Sequence, residues 1–200
     1  MTPAIRLALQ YVLLFGATGV SLPFAGLWLS SRGMSGAEIG ALLAAPMLGR
    51  LATGPVTAVW ADGFWSRRTP IALLGLAAAL GYGGAGLAQD AWLRALCWFV
   101  AASAAAALIP LTDVLNLRMA RRTGHSFAFP RGCGSAAFVC ANVAMGALLT
   151  VAPPDVVIIW VVAASLGIGL YAWRGLPDEA VSAAGAAGGP GRVPGPGPPL

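Results

Sequence analysis

The stretch VVIIWVVAASLGIGLYAW, residues 156–173, runs for 18 residues without a charged side chain. A helix of this length rises about 1.5 Å per residue and so crosses most of the roughly 30 Å of hydrocarbon in a bilayer. Because lipid offers backbone groups no hydrogen-bond partner, such a segment is expected to be helical. Five more apolar stretches of similar length precede it, and the six predicted spans are 8–30, 37–60, 70–88, 93–117, 132–152 and 156–173.

The composition also indicates a membrane protein. Hydrophobic residues make up 58% of the chain, charged residues make up only 10%, and the mean hydropathy is +0.79. Soluble domains carry about 25% charged residues, and barrel strands would be shorter and would alternate apolar with polar residues. We therefore predict an all-α integral membrane protein in which residues 1–174 form six transmembrane helices. The Gly- and Pro-rich residues 175–200 are predicted to be a disordered cytoplasmic tail or a truncated central linker.

The arginines predict the orientation of the six spans. They concentrate in alternate loops, and the positive-inside rule places such loops in the cytoplasm. Both termini are therefore expected to be cytoplasmic, in a multi-pass protein of the cytoplasmic (inner) membrane. The net charge of +5 is explained by these loops, and no basic run with interleaved aromatic residues suggests a nucleic-acid partner. The arginines on the predicted cytoplasmic side are Arg6, Arg67, Arg68, Arg118, Arg121, Arg122, Arg174 and Arg192.

Three of the charged residues inside or at the edge of predicted spans need an explanation, because a charge near the bilayer centre costs at least about 2.5 kcal/mol. Asp113 lies on span four, Arg131 opens span five, and Arg50 lies in span two. Asp113 and Arg131 belong to consecutive antiparallel spans joined by one short loop, so their side chains could meet. Two interpretations stay open for this pair. It is either a structural salt bridge or part of a solute site in which Asp113 also changes protonation. Arg50 either contributes to that site or extends toward a membrane surface.

A second group of charges follows span two. Asp62 stands at the predicted end of that span, and Arg67 and Arg68 follow in a short loop. Such charges can clamp neighbouring helices in one conformation and release them in another, as in switching proteins. The alternative interpretation is that the arginines only anchor the topology of the loop.

Residues 54–68 resemble the loop motif between the second and third helices of the major facilitator superfamily, Gly-x-Leu-x-Asp-Arg-x-Gly-Arg-Arg. Asp62 and Arg67 fall on the acid and on the final basic position of this motif. Ala58 and Gly63 stand where the motif has its first glycine and its first arginine. The resemblance implies that Asp62, Arg67 and Arg68 take part in the conformational change of a transporter.

Two other segments resemble the lactose-permease-like branch of that superfamily, which includes oligosaccharide, nucleoside and phenylpropionate proton symporters. Residues 19–40 look like its first helix and the turn that follows. Residues 129–138 are similar to its fifth-helix motif, Arg-x-x-Gly-Ser-x-Gly-Phe. In the sugar-transporting members an acid on helix four precedes that arginine by eighteen residues, and here 131 − 113 = 18. The resemblance implies that Asp113 and Arg131 lie in the substrate cavity.

The resemblance extends over residues 11–173 and implies the N-terminal half of a transporter with two six-helix halves. Each half of such a protein contains inverted three-helix repeats, and the solute binds near the midplane between the halves. The implied activity is proton symport of a small organic solute by alternating access. The implied partners are the solute, protons, the lipid bilayer, and a second six-helix half or a second copy of the chain.

Two other functions were considered. One is a non-transporting membrane scaffold or a truncated fragment. The other is a six-helix intramembrane hydrolase with Ser135 as nucleophile, a chemistry that needs a base within hydrogen-bond reach. The only histidine is His125, in the loop before span five, where we expect it to be solvated. The sequence shows no phosphate-binding loop and no metal-ligand cluster, so no enzyme activity, cofactor or metal is expected.

Overall fold

The computed structural model describes residues 1–178, except for the side chains of residues 49–53 within the second helix. This part of the chain is built of six α-helices, without strands. They are α1 (Pro3–Ser31), α2 (Gly36–Asp62), α3 (Arg68–Leu87), α4 (Ala91–Thr123), α5 (Ala128–Leu148) and α6 (Asp155–Gly175). The predicted disorder of the Gly- and Pro-rich tail concerns mainly residues 179–200, which lie outside the described part.

Each predicted span overlaps one helix, but the ends differ where polar residues continue a helix beyond the apolar stretch. α4 runs to Thr123, six residues past the predicted end of span four, and stops at Gly124, whose φ of 74° is the left-handed conformation typical of helix ends. α5 lies four residues earlier than predicted span five and covers Ala128–Leu148. Arg131 therefore lies inside α5, within its first turns, and does not precede the helix.

Local sequence sets the helix starts. Ser35 caps α2 in a capping box, in which its hydroxyl accepts from the Glu38 backbone N–H and the Glu38 carboxylate accepts from the Ser35 N–H. The Asp90 carboxylate caps α4 by accepting from the Leu93 N–H at 3.3 Å. These caps occupy the two loops at the end of the bundle that carries few arginines.

Within the described residues, four helices are long and apolar enough to cross a membrane: α1, α3, α4 and α6. α2 is described in full only on either side of residues 49–53, and its first part, Gly36–Leu48, is a shorter apolar helix. α5 has the length of a span, but Arg131, Asn142 and three glycines lower its hydropathy. The architecture is that of an all-α membrane protein, and the buried polar side chains of the described residues lie on α1, α4 and α6.

Small residues allow the helices to approach closely. α1 packs between α5 and α6, α3 packs against α4 and α6, and α2 lies beside α4. A Cβ atom added at Gly19 of α1 would come within 2.5 Å of the Phe138 carbonyl oxygen on α5. A Cβ added at Gly75 of α3 would come within 2.7 Å of the Gly169 nitrogen on α6. Van der Waals packing across such glycine contacts is what holds helices together in lipid.

Candidate functional site

Asp113 and Arg131, the two charged residues predicted to meet, form an ion pair across the α4–α5 contact. The Arg131 Nη1 donates to Asp113 Oδ1. The Arg131 side chain is 38% exposed and the Asp113 side chain is 31% exposed, so the pair is neither buried nor fully solvated. Its exposed part is on the surface of the described bundle, where a solute or a further helix can reach it.

Tyr11 of α1 is the third member of this group, and the sequence analysis did not identify it. Its hydroxyl donates to the same Asp113 Oδ1 at 2.5 Å, so one carboxylate oxygen accepts from both a phenol and a guanidinium. The Arg131 guanidinium carbon also lies 5.6 Å from the centre of the Phe15 ring, a cation–π distance. α1, α4 and α5 therefore each contribute to what we call the Asp113 cluster: Tyr11, Phe15, Asp113 and Arg131.

Gly134 of α5 makes this geometry possible. A Cβ at Gly134 would lie 3.0 Å from the Tyr11 Cβ and 3.1 Å from the Phe15 Cδ2, so a larger residue would push α1 from α5 by a few tenths of an ångström. The separation of three residues between Arg131 and Gly134 puts both on the face of α5 that meets α1. This close contact brings Tyr11 within reach of Asp113.

A chain of hydrogen bonds connects the cluster to the α4–α5 loop. Asn116, one turn after Asp113, donates from Nδ2 to the Tyr11 hydroxyl at 3.5 Å and to the Phe127 carbonyl at 3.0 Å. Its Oδ1 lies 3.1 Å from His125 Nε2. His125 is thus half-buried and held by Asn116, so it is partly exposed to solvent, as expected, but also has a protein partner. No sequence motif pointed to these contacts, because they depend on how α4 and the loop fold back on α1.

The charges after α2 are also paired. Arg67 Nη1 lies 3.3 Å from Asp62 Oδ1, and the Arg67 side chain is only 11% exposed. Arg68 Nη2 lies 3.1 Å from Asp178 Oδ2, and the Ser66 hydroxyl donates to the other oxygen of that carboxylate. The α2–α3 loop is therefore tied to the segment that follows α6. Arg50, the third predicted site residue in a span, lies in α2 with its side chain outside the described part.

The opposite end of the bundle holds a second set of contacts, which the sequence analysis also missed. Asp155, the first residue of α6, accepts from Arg32 Nη2 at 2.6 Å and from Trp28 Nε1 at 3.2 Å. Arg94 of α4 is 5% exposed and donates to the Ala88 carbonyl at 2.6 Å and to the Arg32 carbonyl at 3.5 Å. Together these bonds join the ends of α1, α3, α4 and α6.

The large hollow at one end of the bundle lies away from the Asp113 cluster. A hollow of about 1030 Å³ lies between α2 and α4 at the end with few arginines, where Met34, Glu38 and Trp92 line it. It is remote from Asp113. Within residues 1–178 we find no group of three or more His, Cys, Asp or Glu side chains that could hold a metal ion.

A comparison with protein-family models gives one match, which covers residues 4–175 and is described as the MFS_1 like family. Neither the comparison with curated proteins nor the comparison with solved structures gave a significant match.

Proposed function

The chain belongs to the MFS_1 like family, which resembles the major facilitator superfamily of transporters, and on this premise we propose that it forms the N-terminal half of a secondary transporter. In this proposal the protein moves a small organic solute together with protons by alternating access. The observation that carries the proposal is the Asp113 cluster, in which one carboxylate oxygen serves two donors from two other helices.

The chemistry of the cluster suits proton-coupled binding. A carboxylate in the membrane costs a few kcal/mol unless its charge is balanced, and here Arg131 supplies the balance. When a solute draws the Arg131 guanidinium away, the Asp113 carboxylate loses its counter-charge and takes up a proton more readily. Because α1, α4 and α5 each hold one partner, that exchange also changes the contacts between the helices. Protonation and helix movement are thereby linked.

The remaining parts of the proposal rest on the resemblances and the arginine pattern. The arginine-rich loops place both termini in the cytoplasm and the protein in the cytoplasmic membrane. Asp62, Arg67 and Arg68 act as a clamp that opens and closes with the cycle, which their ion pairs at the α2–α3 loop support. The solute is a sugar, a nucleoside or an aromatic acid, as in the branch that residues 19–40 and 129–138 resemble. A second six-helix half, or a second copy, completes the solute path.

Proteoliposomes that contain the full chain and an enclosed pH-sensitive dye test this proposal. Lactose, uridine and 3-phenylpropionate are added outside in turn, and acidification of the lumen is recorded. We expect at least one of them to drive acidification in the wild type. We expect Asp113→Asn to abolish it while the protein still inserts into the vesicles. Absence of acidification with all three solutes in the wild type would overturn transport by this chain alone or as a pair of copies, and would favour the non-transporting scaffold.

A matched control addresses the hydrolase alternative. Ser135 is exposed on α5, and its hydroxyl donates to the Arg131 carbonyl at 3.4 Å, the weak intrahelical bond of a helical serine. His125 is engaged by Asn116 and Thr123, so it is not positioned as a base for Ser135. Ser135→Ala is therefore expected to keep the acidification that Asp113→Asn loses. Equal loss in both variants would contradict the assignment of the activity to Asp113.

A further inference from the structure

A partly open cavity of about 450 Å³ lies between α1, α2, α3, α4 and α6, with the exposed side chains of Leu22 and Met47 at its edge. We call it the inner cavity. Its volume is in the range of about 300–1,000 Å³ typical of small-molecule sites. Ile109 of α4 lines it, and Asp113 follows four residues later on the same face of that helix. The inner cavity is therefore about one helical turn from the Asp113 cluster.

Three buried side chains with polar atoms line the inner cavity. They are Tyr82 of α3, Trp98 of α4 and Ser165 of α6, which are 4%, 2% and 2% exposed. The rings of Tyr82 and Trp98 meet edge to face, with centroids 5.0 Å apart, and Trp98 also stacks on Trp28 at 5.7 Å. Packing on both sides fixes Trp98, so this wall is formed before a ligand arrives.

The polar atoms of these three side chains are available for a ligand. Within residues 1–178, the hydroxyls of Tyr82 and Ser165 and the indole N–H of Trp98 have no hydrogen-bond partner. These three atoms are not among the fully enclosed unpaired polar atoms of the described residues, so each of them is open to the cavity and can exchange hydrogen bonds with a molecule there. By contrast, the Thr18 hydroxyl, which also lines the cavity, already donates to the Leu14 carbonyl at 2.5 Å.

The rest of the described lining restricts the charge of the ligand. It consists largely of apolar side chains such as Leu14, Leu43 and Ile168, and no charged side chain is among the described residues that line the cavity. From these described residues an ion would gain no counter-charge for the hydration that it loses, which is unfavourable. An uncharged molecule with an oxygen atom would accept from Trp98 and exchange hydrogen bonds with the Tyr82 and Ser165 hydroxyls.

We propose that the inner cavity binds an uncharged organic molecule that has an apolar ring or chain and one or two hydroxyl or carbonyl oxygens. Tyr82, Trp98 and Ser165 hold the oxygens, and the aliphatic walls hold the apolar part. If the transport function proposed above is right, this molecule is the solute. The solute is then uncharged, which excludes the aromatic acids among the solute classes named above.

Binding of three probes of one size and different charge tests this inference. They are 4-fluorobenzyl alcohol, 4-fluorobenzoate and 4-fluorobenzylammonium, and fluorine NMR follows their binding to the detergent-purified full chain. We expect the alcohol to bind at least tenfold more tightly than either ion. Tighter binding of the benzoate or the ammonium would overturn the inference.

Two pairs of variants separate binding in the cavity from partition into the micelle. Ser165→Ala is expected to raise the dissociation constant of the alcohol three- to tenfold, because one hydrogen bond to the ligand is lost. Its control is Ser31→Ala at the end of α1, which is expected to leave the dissociation constant unchanged. Ala105→Phe, which fills the cavity, is expected to abolish saturable binding, and Ala147→Phe on the exposed face of α5 keeps it. Equal binding by Ala105→Phe and Ala147→Phe would overturn the proposal.

The two proposals can fail separately, because binding is measured without a gradient or a second half. Binding of the alcohol without acidification in vesicles would contradict the transport function and leave the cavity assignment standing. Acidification by a solute, together with absence of alcohol binding, would contradict the cavity assignment and leave the transport function standing.

Discussion

Substitution of Gly19 by alanine tests how α1 is held against α5. The added Cβ would lie 2.5 Å from the Phe138 carbonyl oxygen and 3.1 Å from the Phe138 Cα, both backbone atoms that cannot rotate away. Ordinary contact begins near 3.4 Å, so the two helices must separate locally by about 3.4 − 2.5 = 0.9 Å. Overpacking of this kind costs about 1–3 kcal/mol. For a chain of this size, at about 2–4 °C per kcal/mol, we expect the midpoint of thermal unfolding to fall by about 2–12 °C.

Gly16→Ala is the matched control, because Gly16 lies three residues earlier on α1 and nothing lies within 4 Å of its added Cβ. This variant gains up to about 1 kcal/mol of helix propensity without a clash, so its midpoint should stay equal or rise. Thermal unfolding of both purified variants in one detergent measures the difference. A Gly19→Ala protein as stable as Gly16→Ala would refute the close contact of α1 and α5, and with it the position of Tyr11.

Three further substitutions test individual contacts. Tyr11→Phe removes one donor from Asp113 and keeps the ring. It should lower the unfolding free energy by about 1 kcal/mol and reduce solute-driven acidification. Unchanged acidification would exclude the hydroxyl from the mechanism. Arg94→Gln removes a buried guanidinium that donates to the Ala88 and Arg32 carbonyls. We expect the unfolding free energy, measured by thermal unfolding, to fall by about 1–3 kcal/mol. A smaller decrease would show that these bonds are weak. Asp155→Asn weakens a partly exposed ion pair with Arg32. We expect the unfolding free energy to fall by less than about 1 kcal/mol in low salt and to stay unchanged in 1 M NaCl. A decrease that does not depend on salt would contradict this.

The fold was largely predictable from the sequence because hydropathy reports directly on lipid burial. Each predicted span overlaps one helix, and an all-α membrane architecture is confirmed. The helix ends were less predictable. Residues 118–123 continue α4 although four of the six are polar, since a helix that leaves the membrane remains stable in water when Gly124 supplies its cap.

The candidate site was predictable only in part. Asp113 and Arg131 were identified because charges are rare in spans, and the structure pairs them. Tyr11, Asn116 and the engaged His125 were missed, because a tyrosine or an asparagine on a helix is an ordinary residue until its neighbours are known. The approach of α1 to α5 depends on Gly134, and the many glycines of the chain hide which of them allows a contact.

The central claim is that Asp113 and Arg131 act in transport and are more than a structural salt bridge. Solute-driven acidification by the double variant Asp113→Asn/Arg131→Gln tests it most directly, because removal of both charges leaves no unpaired ion to destabilise the bundle. We predict a thermal unfolding midpoint within a few degrees of the wild type, which corresponds to a change of about 1 kcal/mol or less in the unfolding free energy. We also predict no acidification. Acidification at the wild-type rate by this variant would show that the pair only fixes α4 against α5, and would contradict the account.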